Sequence, residues 1–255
     1  MRTRSIRHQV GGKVRDAVNA VIPALPLTRP HGIDISRYQL SFNPPPNPPY
    51  PIDFAIQRLN YGTTHDSKLA ELWEGVQKID IRGAYAYHVS YQDWHDQAEL
   101  LLELAGDKYH FIAWDFENYG NTKSAQFATD AWLAYEHLRS NFDGHVLLYT
   151  NPNIYRHWLL PYLEEDTLRT AEWWWAQWYF IPSPFKEPSV PLPATIWQYE
   201  VSPKGHQYGV ESYGIDLNVF MGGDMHAWLG LTPALTLEER VEILEAKVEC
   251  LEQET

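Results

Sequence analysis

The segment YHFIAWDFEN, residues 109–118, is an apolar and aromatic run that ends in two carboxylates. If this segment is a β-strand, Asp115 and Glu117 share one face with Phe111, because side chains alternate along a strand. Two positions along a strand span about 6.6 Å, a separation at which two carboxylates could flank one scissile bond. Strand ends also carry such pairs as solvated charge, so the surrounding pattern must decide what this pair does.

Strand-like and helix-like patterns alternate around this segment. The predicted strands in the first part of the chain cover residues 31–36, 53–60, 81–88, 109–118 and 145–150. The predicted helices cover residues 66–79, 93–105, 122 or 124 to 139, and 152–160. Three further strands are predicted at 173–179, 195–200 and 214–220, separated by loops that contain proline or glycine. The repeat of strand and helix implies parallel strands joined by right-handed crossovers.

Eight mostly parallel strands predict an α/β fold, a closed TIM-like barrel with its site at the carboxyl ends of the strands. Acidic or polar residues end several of these strands, and 255 residues suit one such domain. We place the barrel at residues 30–232, between an N-terminal arm at 1–29 and a C-terminal segment at 233–255. An open doubly wound sheet is the alternative, but the sequence has no glycine-rich phosphate loop to support it.

Charge is unevenly distributed along the chain, whose formal net charge is −13. The arm has six basic residues against one acidic residue, a net of +5, and residues 233–255 have seven glutamates against two basic residues, a net of −5. The region between these two segments is strongly acidic. This argues against a nucleic-acid partner, because phosphate binding needs clustered Lys and Arg. No apolar stretch approaches the length of a membrane span, and the best candidate for a signal peptide, residues 17–27, is interrupted by Pro23 and Pro26. We therefore predict no membrane association and no signal peptide.

The C-terminal segment has a heptad pattern over residues 237–251. Its apolar residues follow a 4-3-4-3 spacing: Leu237, Val241, Leu244, Val248 and Leu251. This spacing is typical of a short coiled-coil helix with Val at a and Leu at d, and it predicts self-association into a homo-oligomer or binding to an assembly partner. A terminal helix packed on the barrel is the alternative, because two heptads are marginal alone.

A proline-rich stretch, NPPPNPPYP at residues 43–51, follows the first predicted strand. It cannot be a helix or an inner strand, so we expect a stiff, extended loop. A domain linker is one interpretation, but strand-like sequence resumes at once, which favours an excursion from the barrel. If the loop lies at the barrel mouth, it could reshape or cover a cleft there.

Seven motifs resemble those of family 25 glycoside hydrolases, the Chalaropsis-type lysozymes of bacteria, fungi and phage endolysins. In chain order they are HGIDISRYQ (31–39), GAYAY (83–87), WDFE (114–117), LYTN (148–151), WAQW (175–178), IWQY (196–199) and GIDLNVF (214–220). The resemblance covers residues 31–222 and implies the family's (β/α)5(β)3 barrel. The N-terminal arm and the heptad segment are not part of the family pattern, and we see none of the wall-binding modules that endolysins usually carry.

The resemblance implies a role for each of four carboxylates. It makes Glu117 the general acid that protonates the glycosidic oxygen between N-acetylmuramic acid and N-acetylglucosamine in bacterial peptidoglycan. It makes Asp115 the partner of Glu117, which attacks the anomeric carbon or orients the substrate's acetamido group to do so. Asp34 and Asp216 match the family's other barrel-mouth carboxylates, although Asp34 could instead be a strand-end cap and Asp216 an Asx-turn residue.

Aromatic residues are abundant, with 11 Trp, 16 Tyr and 9 Phe. Four of them are candidates to line sugar subsites, with core packing as the alternative for each: Tyr61, Tyr87, Trp175 and Trp178. We predict no metal and no cofactor, because His31, His65 and His88 lack metal-ligand spacing and Cys250 is the only cysteine.

Two functional hypotheses follow. The first is an active peptidoglycan hydrolase, a muramidase that acts on the bacterial cell wall, either released from a host cell or carried on a virion. The second is a structural or glycan-binding barrel within a phage particle or another oligomeric assembly, with weak or no activity. The intact set of four carboxylates favours the hydrolase hypothesis. The N-terminal arm and the C-terminal heptad segment motivate the structural or glycan-binding hypothesis.

Overall fold

The computed structural model describes residues 29–117, 125–179, 184 and 186–231. The N-terminal arm apart from Arg29, and the predicted coiled-coil segment at 237–251, lie outside these residues. The structure therefore bears on the predicted barrel and on the site that the barrel carries.

The described chain folds around one closed sheet. Its strands are β1 (His31–Ile35), β2 (Phe54–Tyr61), β3 (Thr64–His65), β4 (Ile81–Tyr87), β5 (Phe111–Asp115), β6 (His145–Thr150), β7 (Glu172–Ala176), β8 (Ile196–Ser202) and β9 (Ile215–Phe220). Eight of them form a ring in the order β1, β9, β8, β7, β6, β5, β4, β2, which closes because β1 also pairs with β2. The two-residue β3 only forms a hairpin with the end of β2. The predicted TIM-like barrel is confirmed.

One strand of the ring is antiparallel to its two neighbours. From β1 through β8, neighbouring ring strands pair in parallel, whereas β9 is antiparallel to both β8 and β1. The start of β9 therefore lies at the same mouth as the ends of the other strands. This reversal places Asp216, the second residue of β9, beside Asp34 near the end of β1.

Helices cover the outside of the barrel between several strands. The longer ones are Leu69–Val76, Trp94–Ala105 and Ala125–Asn141, and the short ones are Pro152–Ile154, Glu165–Leu168 and Met225–Trp228. A π-helical stretch, Tyr155–Leu159, continues the helix that Pro152 begins, and short 3-10 turns occupy Arg37–Gln39 and Gly205–Tyr208. Asp93 caps the second long helix, because its side chain accepts hydrogen bonds from the backbone N–H groups of His95 and Asp96. Within the part of the chain that the structure describes, no helix is long and apolar enough to span a membrane.

Two apolar layers hold the barrel together. Inward-facing side chains, among them Phe54, Phe111 and Trp174, fill the barrel interior, and outward-facing ones pack against the helices. Glycine is required at two inward positions. A Cβ on Gly32 would lie 2.5 Å from the Phe54 ring, and one on Gly83 would lie 2.3 Å from the Phe111 ring. These two glycines leave room for the rings that close the lower part of the barrel.

The proline-rich stretch is the crossover between β1 and β2. Its first residue, Asn43, donates its backbone N–H to the carbonyl of Gly209 at 2.8 Å. Its far end reaches the start of β1, where the Tyr50 ring lies 4.9 Å from the His31 ring and the Pro51 carbonyl lies 3.1 Å from His31 Nδ1. The stretch thus runs down the outside of the barrel, and none of residues 43–51 lines the cleft described below. The stretch therefore does not cover the cleft, and its Tyr50 packs against the hydrophobic core instead.

Candidate active site

A cleft of about 430 Å³ opens at the carboxyl ends of the parallel strands. The four carboxylates that the sequence singled out all line it: Asp34, Asp115, Glu117 and Asp216. Asp34 and Asp216 come from neighbouring strands β1 and β9, and the other two come from the end of β5. The fold therefore brings into one cavity residues that lie far apart in the chain.

Asp34 is buried and held by two side-chain amides. Gln198 Nε2 and Asn218 Nδ2 donate hydrogen bonds to its Oδ2 at 2.8 Å and 2.7 Å. Burial raises the pKa of Asp34 to about 6, against the lowering effect of these two hydrogen bonds, and the charge of Glu117 adds to the rise. The strand-end cap that we considered for Asp34 is not what the hydrogen bonds show, since both donors are side chains of β8 and β9.

Asp115 is the last residue of β5 and is also buried. Its Oδ1 has no hydrogen-bond partner within the described ranges. Burial and the charge of Glu117 raise the pKa of Asp115 well above its usual value, and the charge of Arg58 opposes this rise. The Asp115 side chain nevertheless lines the cleft.

Asp216 is the register partner of Asp34. Burial raises its pKa well above the usual value, and the charges of Asp34 and then Glu117 add to the rise. Carboxylates that crowd one buried cavity cannot all be ionised, so the cluster keeps protons at a pH where isolated carboxylates have lost them. Such a cavity suits chemistry in which a carboxylic acid donates a proton.

Glu117 lies two residues beyond Asp115, where the chain leaves the barrel, and it is less buried than Asp34 and Asp115. Its backbone is tied in place, because the Tyr87 hydroxyl donates to the Glu117 carbonyl at 3.1 Å. The preceding residue is fixed as well, since the Thr150 hydroxyl donates to the carbonyl of Phe116 at 2.8 Å. The Glu117 side chain is hydrogen-bonded to that of Tyr149. The segment after β5 therefore presents Glu117 in a defined position above the cleft.

Arg58 is the one arginine among the cleft-lining residues. It is buried on β2 and forms an ion pair with buried Asp66, with Nε and Oδ2 2.7 Å apart. Its charge reaches Asp115, where it lowers the carboxyl pKa. Arg58 was not among the site residues predicted from the sequence, although strand alternation places it on the same face as Phe54 and Ile56. A charged residue on the inner face of a predicted barrel strand was the signal available.

Three of the four predicted aromatic residues line the cleft. Tyr61 and Tyr87 stack on each other with ring centroids 4.7 Å apart and planes within 7°. Trp178 is 58 % exposed, and its indole N–H donates to Gln198 Oε1 at 3.2 Å. Flat aromatic faces at the rim of a polar cleft suit contact with sugar rings.

The fourth aromatic prediction is wrong, because Trp175 does not reach the cleft. Its side chain has no exposed surface and stacks on Trp173 on the outer side of β7, with centroids 4.7 Å apart. Alternation along β7 turns Trp174 inward instead, where its indole N–H donates to Asn218 Oδ1 at 2.8 Å. Trp174, and not Trp175, lines the cleft.

Sequence comparison decides the family. A model of "Glycosyl hydrolases family 25" matches residues 33–207, which is more than half of the chain. The chain belongs to glycosyl hydrolase family 25. It is therefore a glycoside hydrolase. A comparison with curated protein sequences finds no match.

Solved structures share the fold of this family 25 hydrolase at low sequence identity. The catalytic domain of endolysin ply40 from bacteriophage P40 of Listeria monocytogenes is 20 % identical with a TM-score of 0.63, over 79 % of this chain and 98 % of that one. A bacterial lysozyme from Streptomyces coelicolor is 21 % identical with a TM-score of 0.61, over 80 % and 96 %. A family 25 glycosyl hydrolase from Bacillus anthracis is 20 % identical with a TM-score of 0.60, over 82 % and 96 %.

Proposed function

We propose that the chain is a muramidase that cleaves the β-1,4 bond between N-acetylmuramic acid and N-acetylglucosamine in bacterial peptidoglycan. Family membership makes it a glycoside hydrolase, and a lysozyme and a phage endolysin are among the proteins with the same fold. The observation that carries the proposal is the position of Glu117, beside buried Asp115 at the end of β5, in an open cleft lined by carboxylates and aromatic rings. The site of action is then the bacterial cell wall, reached by release from a host cell or on a virion.

Glu117 supplies the proton in this proposal. It protonates the glycosidic oxygen as the bond from C1 of N-acetylmuramic acid breaks, which leaves positive charge on the sugar ring and releases the N-acetylglucosamine hydroxyl. Water later adds at C1 and gives its proton to Glu117, which restores the acid. Because Tyr87 and Thr150 hold the backbone around Glu117, the acid need not reorganise between these steps.

Asp115 acts on the other side of the bond. One route is direct attack of its carboxylate on C1, and the other is a hydrogen bond that orients the substrate's acetamido group for the same attack. Its place in the lining of the cleft, beside Glu117, supports contact with substrate in either route. Asp34 and Asp216 stabilise the developing positive charge or bind sugar hydroxyls, and the two amide donors on Asp34 fix its carboxyl plane.

Purified peptidoglycan provides the test. Wild type should release reducing ends whose reduced products are muramitol, whereas cleavage on the other side of the sugar would yield glucosaminitol. The Glu117→Gln variant removes the transferable proton and should lose about two to four orders of magnitude in rate. Glu164→Gln is the matched control, because Glu164 is exposed and its side chain forms no cap hydrogen bond. Full activity of Glu117→Gln, or no reducing ends from wild type, would refute the proposal.

A further inference from the structure

Two neighbouring surface helices bring two imidazoles and a carboxylate together outside the cleft. His95 and Glu99 lie on the helix Trp94–Ala105, and His137 lies on the helix Ala125–Asn141. Residues four apart on a helix share a face, so His95 and Glu99 project toward the same neighbour. One ligand atom from each of the three residues lies within 4.8 Å of the other two. Sequence spacing did not reveal this cluster, because His137 lies 38 residues from Glu99.

The distances within the cluster suit a bound transition metal. His137 Nε2 lies 2.6 Å from Glu99 Oε1, and His95 Nε2 lies 3.9 Å from the same oxygen. The two imidazole centroids are 4.7 Å apart. A tetrahedral ion with ligands at about 2.0–2.1 Å separates neighbouring ligand atoms by about 3.3 Å, a value between these two nitrogen–oxygen distances. Small side-chain rotations would therefore direct all three atoms at one ion.

Exposure and charge also favour a cation at this position. The side chains of His95 and Glu99 are 51 % and 53 % exposed and that of His137 is 21 % exposed, so an ion has an open path and water can complete its coordination. Glu99 also lines a shallow groove together with Asp96 and Glu103. Three carboxylates in one groove give a negative local potential, which raises the local concentration of cations.

We propose that His95, Glu99 and His137 form a binding site for a divalent first-row transition metal such as Zn²⁺. Two imidazoles and one carboxylate suit Zn²⁺, Ni²⁺ and Cu²⁺, whereas Mg²⁺ and Ca²⁺ prefer oxygen ligands. The bound ion links the crossover that follows β4 to the crossover that follows β5. Since the complete ligand set exists only in the folded chain, binding stabilises the folded state. The site is independent of the proposed muramidase activity.

Zinc titration of the full chain tests this site. After treatment with a chelator, the protein is titrated with ZnCl₂ by calorimetry, and its Tm is measured with and without ZnCl₂. Wild type should bind one more Zn²⁺ than the double variant His95→Gln/His137→Gln and should show a rise in Tm that this variant lacks. Glu99→Gln should weaken binding by at least about tenfold. The exposed His157 lies outside the cluster, so His157→Gln should behave as wild type.

Two further measurements separate specific binding from loss of fold. Circular dichroism and the Tm in the presence of chelator should match wild type for every variant, because the three side chains lie on the surface. Cobalt absorption should show the bands of a low-coordinate site in wild type and lose them in the double variant. Equal zinc stoichiometry and equal Tm shifts in wild type and the double variant would overturn the proposal. An equal Tm shift with MgCl₂ would overturn it as well, since it would show a nonspecific ionic effect.

Discussion

Asp34 and Asp216 face each other as register partners on the antiparallel strands β1 and β9. Only the reversed direction of β9 makes this possible, because it brings the start of one strand level with the end of the other. The charge of Asp34 is among the causes that raise the pKa of Asp216. The pairing of β1 with β9 thus concentrates acidic groups at the mouth of the barrel.

The raised pKa of Asp34 predicts a stability that falls with pH. Its folded-state pKa is about 6 against an ordinary value of 3.8, so the folded chain keeps this proton while the unfolded chain releases it. The contribution of Asp34 to the free energy of unfolding is therefore largest below pH 3.8. Up to about 3 kcal/mol of this contribution is lost as the pH rises through 6. Asp34→Asn retains an acceptor for Gln198 and Asn218 and should flatten that part of the profile. Urea unfolding from pH 4 to 7 measures the pH dependence of the unfolding free energy. Identical profiles for wild type and Asp34→Asn would contradict the prediction.

Removal of Arg58 should change both stability and the titration of Asp115. Arg58→Met leaves buried Asp66 without its ion-pair partner, which should cost about 3–5 kcal/mol of unfolding free energy. It also removes the charge that lowers the pKa of Asp115, so Asp115 should ionise at higher pH. The pH dependence of kcat/KM should then shift its acidic limb upward, and Arg58→Lys should restore part of the shift. An unchanged limb in Arg58→Met would show that this charge does not control Asp115.

Trp175 and Trp178 should respond to substitution in opposite ways. Trp175→Ala removes a fully buried ring from the outer core and should cost about 3–5 kcal/mol of unfolding free energy. Trp178→Ala removes a largely exposed ring at the cleft and should leave stability within about 1 kcal/mol while it raises KM for peptidoglycan. Denaturant unfolding and turnover on purified walls measure the two effects. A stable Trp175→Ala or an unchanged KM for Trp178→Ala would contradict the assignment.

Self-association through residues 237–251 remains a prediction from the heptad pattern alone. If this segment forms a coiled coil, the full chain should have a mass in solution of at least twice its 29.6 kDa. Removal of residues 233–255 should then yield a monomer. Light scattering coupled to size exclusion measures both masses, and a full chain that stays monomeric at high concentration would exclude the prediction.

Local patterns were sufficient for the barrel and its acid pair. The alternation of strand and helix predicted the closed sheet, and alternation along β5 placed Asp115 on the inner face. The same rule would have shown that Trp175 and Trp178 cannot both face the cleft along one continuous strand, because they lie three residues apart. Strand β7 ends at Ala176, so only Trp178, beyond its end, can turn toward the mouth.

Other features depend on contacts that no local pattern contains. The direction of β9 is one such feature, because side chains alternate in the same way along a parallel and an antiparallel strand. The ion pair of Arg58 with Asp66 and the two amides on Asp34 are others, because they join separate elements of the fold. The path of the proline-rich stretch also needed the structure, since its composition excludes a helix but does not say which side of the barrel it follows.

The pairing of β1 with β9 also limits when the cleft can form during synthesis of the chain. Asn218 and the Asp34 that it holds are 184 residues apart in the chain. Contacts between residues so distant form late, because much of the intervening chain must be ordered first. A nascent chain that has not reached β9 lacks Asp216, lacks one of the two donors to Asp34 and has an open sheet. The carboxylate-lined cleft is therefore complete only after nearly the whole barrel has been translated.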